Sequence, residues 1–385
     1  MAGRGYSLRR PTPPPQDPPA DPPPPSRSWW RRTRDVIHRF AVWQGWTSLT
    51  AIVTTIAAVG ALWFTSQSLR AALDVAVTDR FQKAADLLSK DNIDARVSGI
   101  YLFERLARDS PADHSVVFTV LLEFVRANSP RSECDQISRN TTAVGQPEAK
   151  RGPSDISAAL IVIGRRDASR DAFRLELTNT CLAYGELDYA QWSGASFTGS
   201  VLLSANLTGA DLSDASVVEA DLTGAYLSGA NLSRAILYGA NLTGAVLAGA
   251  NLDRASLSCR LPLDRSPVCT NLQEARLSCL SEYGADGDGI QQVKAQTCAS
   301  LVDADLNGAN LHSAWLDGAN LTGARIGCES DDRDRIRCAD LTDASLAGAN
   351  LTRADLDGAN LTNIYYNDMT VWPAGFTPPP SRPER

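Results

Sequence analysis

Large apolar residues return at every fifth position through the C-terminal half of this chain, each with a small residue two positions before it. Ala205 and Leu207, Ala210 and Leu212, Ala220 and Leu222, and Ala225 and Leu227 belong to a pattern that begins near Leu182 and runs to Ala359 and Leu361. On an α-helix a five-residue step rotates by about 140° and scatters the leucines around the axis. A continuous strand fails as well, because odd-numbered steps change face. A three-residue strand with both apolar side chains inward, followed by a two-residue turn, satisfies the spacing. Gly209, Gly224, Gly229, Gly239, Gly244 and Gly249 fall at the turns. The chain must therefore coil, with leucine stacked on leucine.

The pattern upstream is different. Ala41 to Phe64 has no charged side chain and is rich in Leu, Ile, Val, Ala and Trp. That is about the length needed to cross a bilayer core. Trp43, Trp46 and Trp63 sit near its ends, where indole rings favour the interface. Helical spacing follows in Phe81, Ala84, Ala85 and Leu88, and again in Val97, Ile100, Phe103 and Leu106. Ser110 before Pro111 reads as a helix start, and Val116, Val117, Val120, Leu121 and Phe124 supply a buried stripe. Pro130, Gly145, Pro147 and Pro153 break the next stretch into a loop, and Ser154 to Ile163, stopped by Gly164, reads as one more short helix. Val371, Trp372, Pro373 and Phe376 are the expected lid on the far end of the coil.

Charge adds a topology. Residues 1–40 are rich in proline and carry eight arginines against three aspartates, whereas in the repeat half acids outnumber bases about two to one. Arg27, Arg31, Arg32, Arg34 and Arg39 crowd the N-terminal flank of the apolar stretch. Positive flanks stay in the cytoplasm, so the coil is expected outside it. The long leader and long apolar stretch favour an uncleaved anchor over a signal peptide. The expected organisation is a disordered Pro/Arg-rich cytoplasmic tail (1–40), a transmembrane helix (41–66), a helical region (67–128), a linker with a short helix (129–172), the coil (173–366), and a cap and tail (367–385).

Ala230-Asn231-Leu232 and Ala240-Asn241-Leu242-Thr243-Gly244 resemble the consensus of the pentapeptide-repeat family. The resemblance covers roughly half the chain and implies a mainly β fold. Four repeats would make one square coil of a right-handed quadrilateral β-helix, here preceded by a transmembrane helix and a small α-helical region. Thr78-Asp79-Arg80-Phe81 and Gly99-Ile100-Tyr101 also look like the helical region that precedes such repeats in many bacterial membrane proteins. About thirty repeats would give seven to eight coils and a rod of about 36 Å at the spacing of neighbouring strands.

The period breaks at three places, each bounded by cysteines. Removing 260–269, 280–298 or 329–338 restores the five-residue register. Cysteines at the neck of a looped-out excursion are placed to pair, so Cys259 is expected to bond Cys269, Cys279 to bond Cys298, and Cys328 to bond Cys338. By subtraction Cys134 pairs with Cys181. Disulfides persist outside the cytosol, in agreement with the arginine-based topology. With four faces per coil, the first and third loops leave one face two coils apart and the middle loop leaves the opposite one. Arg260, Asp264 and Arg265 would then lie about 10 Å from Asp331, Asp332, Arg333, Asp334, Arg335 and Arg337. Surface insertions are thermodynamically cheap, so tolerated excursions are the default reading; any partner would be sought there first.

No nucleophile elbow, phosphate-binding loop, dinucleotide fingerprint or HExxH motif occurs, and no CxxC suggests zinc. Asp211, Asp221 and Asp305 read as an outward, solvated position, His312 as exposed, and His114 as part of a first helical turn. No catalytic residue, metal or cofactor is nominated. A non-enzymatic scaffold, anchored to the membrane through one N-terminal helix and facing a protein or envelope partner, is the favoured function. The alternative is an acidic DNA mimic like the gyrase-protecting members of the family; tether and cystines disfavour nucleic-acid chemistry.

Overall fold

The computed structural model describes residues 45–134, 154–171, 173–260, 268–285, 291–330 and 336–383. The expected tail over 1–40 lies outside the described residues. Two compact units divide the chain, Met1–Asp74 and Val75–Arg385.

In the first unit, Thr50–Leu69 is a helical segment of 20 residues, long and apolar enough to cross a membrane. Ile56, Leu62 and Phe64 are each at least 66% exposed along it. Its hydroxyls are satisfied within the helix: Thr54 donates to the Thr50 carbonyl, Thr55 to Ala51 and Thr65 to Ala61. Internal satisfaction of polar groups is what a helix needs in an apolar medium. Helix α1 covers Gly45–Leu88, and neither Gly nor Pro occurs from Ala61 to Leu88.

In the second unit, helix α2 (Ile93–Asp109) starts at Asn92, whose side chain accepts from the N–H groups of Asp94 and Ala95. It buries Ile100, Phe103 and Leu106, with Phe103 edge-on to Phe81 at 5.2 Å. Helix α3 covers His114–Asn128. Ser110 closes α2 instead of opening α3: its N–H donates to the Leu106 carbonyl, and Pro111 to Asp113 form a turn before the next helix. Helix α4 (Ser154–Gly164) is almost wholly buried, and Arg96 pairs with its buried Asp155 at 2.7 Å. The Gly164 carbonyl accepts from the Gln191 N–H at 2.9 Å, and a Cβ at Gly164 would lie 2.5 Å from the Ala190 side chain. A glycine is thus required where α4 meets the first coil.

The repeats form four columns of parallel bridges, because each outward residue pairs with the one twenty positions later until an insertion intervenes. Column A includes Ser216, Ile236 and Ser256; column B, Asp221, Asn241 and Asn271; column C, Tyr226, Val246 and Arg276; and column D, Asn231, Asn251 and Ser300. Eight bridging positions per column make eight coils, and seven steps of strand spacing give about 34 Å. The expected three-residue strand contracts to a single bridging residue per face, since a turn follows every five residues. Backbone bonds run both ways along the axis: Leu212 N–H donates to Asn231 O at 2.7 Å, and Asn231 N–H to Ala210 O at 2.9 Å. The paired Ala and Leu positions point inward and are buried from Ala195 to Leu356, while Ala359 and Leu361 in the last coil are only partly buried.

The outward Asp and Asn positions are more than a solvated face. Asp221 Oδ1 accepts from the Thr223 N–H, and Asn241 Oδ1 from the Thr243 N–H and hydroxyl, bracing each turn. Their amides also climb column B, with Asn271 donating to Asn241 at 3.3 Å and Asn310 to Asn271 at 3.0 Å. The Asn-Leu-Thr strings are therefore corner chemistry. His312 is half-buried rather than exposed, and its N–H donates to Asn310 Oδ1 in the same network.

Both ends of the coil are closed by aromatics. Trp192 and Phe197 take leucine positions in the first coils and meet edge-on at 5.6 Å, both fully buried. At the other end Tyr366, Trp372 and Phe376 pack together on the core, Trp372 stacking on Phe376 at 5.4 Å. Val371 is not part of this lid; it bridges to Asn350 as the last outward residue and is 49% exposed.

Candidate interaction surface

The three insertions leave the coil through antiparallel ladders whose first pair is a cystine. Strands β1 (Cys259–Arg260) and β2 (Val268–Cys269), β3 (Cys279–Ala285) and β4 (Gln291–Cys298), and β5 (Cys328–Ser330) and β6 (Ile336–Cys338) form the necks. Cys259 is bonded to Cys269, Cys279 to Cys298 and Cys328 to Cys338, each pair directly opposite in register. Cys134 is bonded to Cys181, beside the bridge from Pro130 to Thr180.

Across the first insertion Asn241 pairs with Asn271, ten residues beyond the normal period, and across the third Asn310 pairs with Asp340 with the same excess. The first neck leaves between columns A and B in the fifth coil, and the third leaves at the same corner in the seventh; the middle neck leaves between columns C and D. Between the first and third necks lies the sixth-coil turn at Asn307 and Gly308. Cys259 Sγ is 3.5 Å from the Gly308 carbonyl, and a Cβ at Gly308 would lie 2.7 Å from that sulfur and 3.2 Å from Arg337 Cβ. Buried Asn307 completes the corner by accepting the Gly327 N–H at 2.9 Å. Cystines press on glycine corners elsewhere too: a Cβ at Gly318 would meet Cys279 Sγ at 2.6 Å, and one at Gly358 would strike Cys328 Sγ. The sequence pattern marks glycines at this repeat position, such as Gly229 and Gly244, only as turn formers. Their second role follows from the cystines stacking on the next coil.

Of the candidate loop residues, Arg337 is exposed on β6, and Arg260 ends β1. Asp264, Arg265, Asp331, Asp332, Arg333, Asp334 and Arg335 lie outside the described residues. The structure thus brings the necks of the two loops to one corner, with Ile336 exposed by 66% beside Arg337. Among the described residues no group of His, Cys, Asp or Glu is arranged to hold a metal ion.

Comparison with known proteins follows the same segmentation. Eight copies of the model described as pentapeptide repeats match residues 176–214, 220–258, 297–324 and 336–364. The chain is also 30% identical to HetL, a pentapeptide repeat protein involved in heterocyst differentiation regulation from the cyanobacterium Nostoc sp. strain PCC 7120, over 53% of this chain and 86% of that one, with a TM-score of 0.23. The chain belongs to the pentapeptide-repeat family. Pentapeptide-repeat proteins fold as right-handed quadrilateral β-helices. The family matches stop at residue 258, just before the first neck, resume at 297 within β4, stop at 324 and resume at 336 within β6. A pentapeptide repeat protein of the Arabidopsis thaliana thylakoid lumen is 33% identical over 23% of this chain and 64% of its own, with a TM-score of 0.19. QnrB1, a plasmid-mediated fluoroquinolone resistance protein, is 15% identical over 51% of this chain and 91% of its own, with a TM-score of 0.24, a likeness of fold only. No curated protein sequence matches the chain.

Proposed function

We propose that this pentapeptide-repeat protein is a non-enzymatic scaffold, tethered to a membrane by the Thr50–Leu69 segment with its solenoid on the non-cytoplasmic side, and that it presents the paired loops of one solenoid corner to a protein partner. The observation that carries the reading is the placement of two cystine-closed necks at one corner, on either side of Gly308. A stack of coils with cystine-closed necks is suited to present a surface, because binding through pre-ordered elements loses little conformational freedom. Support for the topology comes from the arginine-rich leading flank, the four cystines, and a helix whose hydroxyls are self-satisfied.

A membrane-impermeant thiol reagent applied to intact cells should label a cysteine introduced at Ser233, on the solenoid exterior. Protection of that site, with labelling after lysis, would place the solenoid in the cytoplasm and favour the acidic DNA-mimic reading instead. Affinity capture should then lose its partner when both A–B loops are shortened to their cystines, and keep it when only the middle loop is shortened. Equal capture by all three forms would overturn the role given to that corner.

A further inference from the structure

Column C departs from the repeat rule. From the third coil onward, where column B places Asp or Asn throughout and column D mostly Asn, column C places Tyr226, Val246, Arg276, Trp315, Ser345 and Tyr365. Trp315 is 53% exposed, and nothing in the core requires an indole at an outward position. Arg276, one coil before, backs the ring with its guanidinium 5.7 Å from the ring centroid. Ser345, one coil after, is small and leaves the next level open. Tyr365 follows a coil later, with the Arg382 guanidinium 5.8 Å from its ring and bonded to the Asp343 carbonyl at 3.2 Å.

Trp315, Ser345, Tyr365 and Arg382 help to wall a cleft of about 380 Å³, within the range of small-ligand sites. Its lining combines two aromatic rings (Trp315, Tyr365) with carboxylates (Glu274, Asp317, Asp343), hydroxyls (Ser313, Ser345) and a guanidinium (Arg382). Among the described residues Ala314 is the only aliphatic side chain in the lining, so an apolar peptide anchor would find little complementary surface. Mixed acceptors and donors beside an aromatic face suit a ligand that carries both C–H faces and hydroxyl groups. We infer that this cleft binds a saccharide, one sugar ring stacking on Trp315 while its hydroxyls reach Asp343, Glu274 and Arg382. The excess of carboxylates excludes strongly anionic polymers and fits a neutral glycan. Tyr226, three coils before Trp315 on the same column and 52% exposed, offers a second platform about 14 Å along the axis for an extended chain.

Full-length protein in detergent, titrated calorimetrically with cellohexaose and chitohexaose, should bind at least one of them. Trp315→Ala should weaken that binding about tenfold, equivalent to about 1.4 kcal/mol, and Trp315→Phe, which keeps a ring, should restore most of it. Both variants alter an exposed side chain and should melt with the parent protein. Failure of both hexasaccharides at millimolar concentration overturns the inference, as does binding that is indifferent to Trp315→Ala. Trp315-dependent binding of an octalysine peptide in place of the sugars would reassign the cleft to cationic segments. The scaffold reading is tested on loops at another corner, so either idea can fail alone.

Discussion

Gly308 offers the sharpest test of how the cystines and the coil depend on one another. Its φ of 70° is shared by Gly229 at 66°, but around Gly229 nothing lies within 4 Å of an added Cβ. An L-residue in that conformation costs about 1–2 kcal/mol, partly offset by about 0.4–1 kcal/mol from a stiffer unfolded chain. Gly229→Ala should therefore destabilise by about 0.5–1 kcal/mol, and the coil already tolerates Asp214, Arg234 and Glu274 at the same φ of 58°. Gly308→Ala carries the same backbone term and also forces a methyl to within 2.7 Å of Cys259 Sγ in a neck that cannot swing aside. Overpacking of this kind costs about 1–3 kcal/mol, so the total should reach about 2–4 kcal/mol. Hydrogen exchange followed by mass spectrometry reads this locally. The Gly308 and Ala309 amides, bonded to the Gly327 and Leu306 carbonyls, should lose protection at least tenfold more than the corresponding turn does in Gly229→Ala. Adding Cys259→Ala and Cys269→Ala should remove most of the difference, as expected of directly coupled sites. Equal losses in the two glycine variants, with no change on removing the cystine, would refute the reasoning.

Other consequences follow from the same geometry. Replacing Cys328 and Cys338 together by serine should lower stability by about 3 kcal/mol or less on the chain-entropy estimate for so short a loop, measured by denaturant melts of the full chain. Arg166 is nearly buried, and it bridges Asp171, the Ile163 carbonyl and the Gln191 carbonyl, while His114 lies 3.2 Å from the other oxygen of Asp171. Arg166→Ala leaves that partly buried carboxylate without its main partner and should cost about 2–4 kcal/mol, with exchange rising first at Gly164 and Gln191; unchanged exchange there would dismiss the network as the joint between α4 and the coil. Trp372→Ala should raise exchange in the eighth coil while leaving the first coils protected, because end coils fray independently in stacked repeats. Hydrogen bonding to Arg234 holds the Asp214 carboxyl below its usual range, so the pair's small stabilising effect is present at neutral pH and fades as pH falls through that lowered value. In Arg234→Ala the Asp214 carboxyl should titrate at higher pH by NMR, with little change in melting temperature.

Much of the architecture can be read from the sequence because the driving force repeats with the chain. An Ala and a Leu at fixed positions in every five residues admit only a path that turns inward side chains to one axis, and the consensus in Ala240 to Gly244 names the family that follows it. Breaks in so strict a period are equally visible, since deleting them restores register. The same period also blurred local roles. It made the Asp and Asn positions look merely solvated, though Asn241 and Asn271 brace turns and link coils. Placing Trp315 beside Ser345 and Arg276 required knowing that residues 39 and 30 positions apart in the chain occupy successive coils once the insertions are looped out. Gly308 under Cys259 joins positions 49 apart for the same reason. Hydrophobic periodicity is a local property and is set by the residues themselves. Contact between coils depends on how neighbouring turns stack along the axis, and only the folded chain decides which side chains, cystines and glycines share that space.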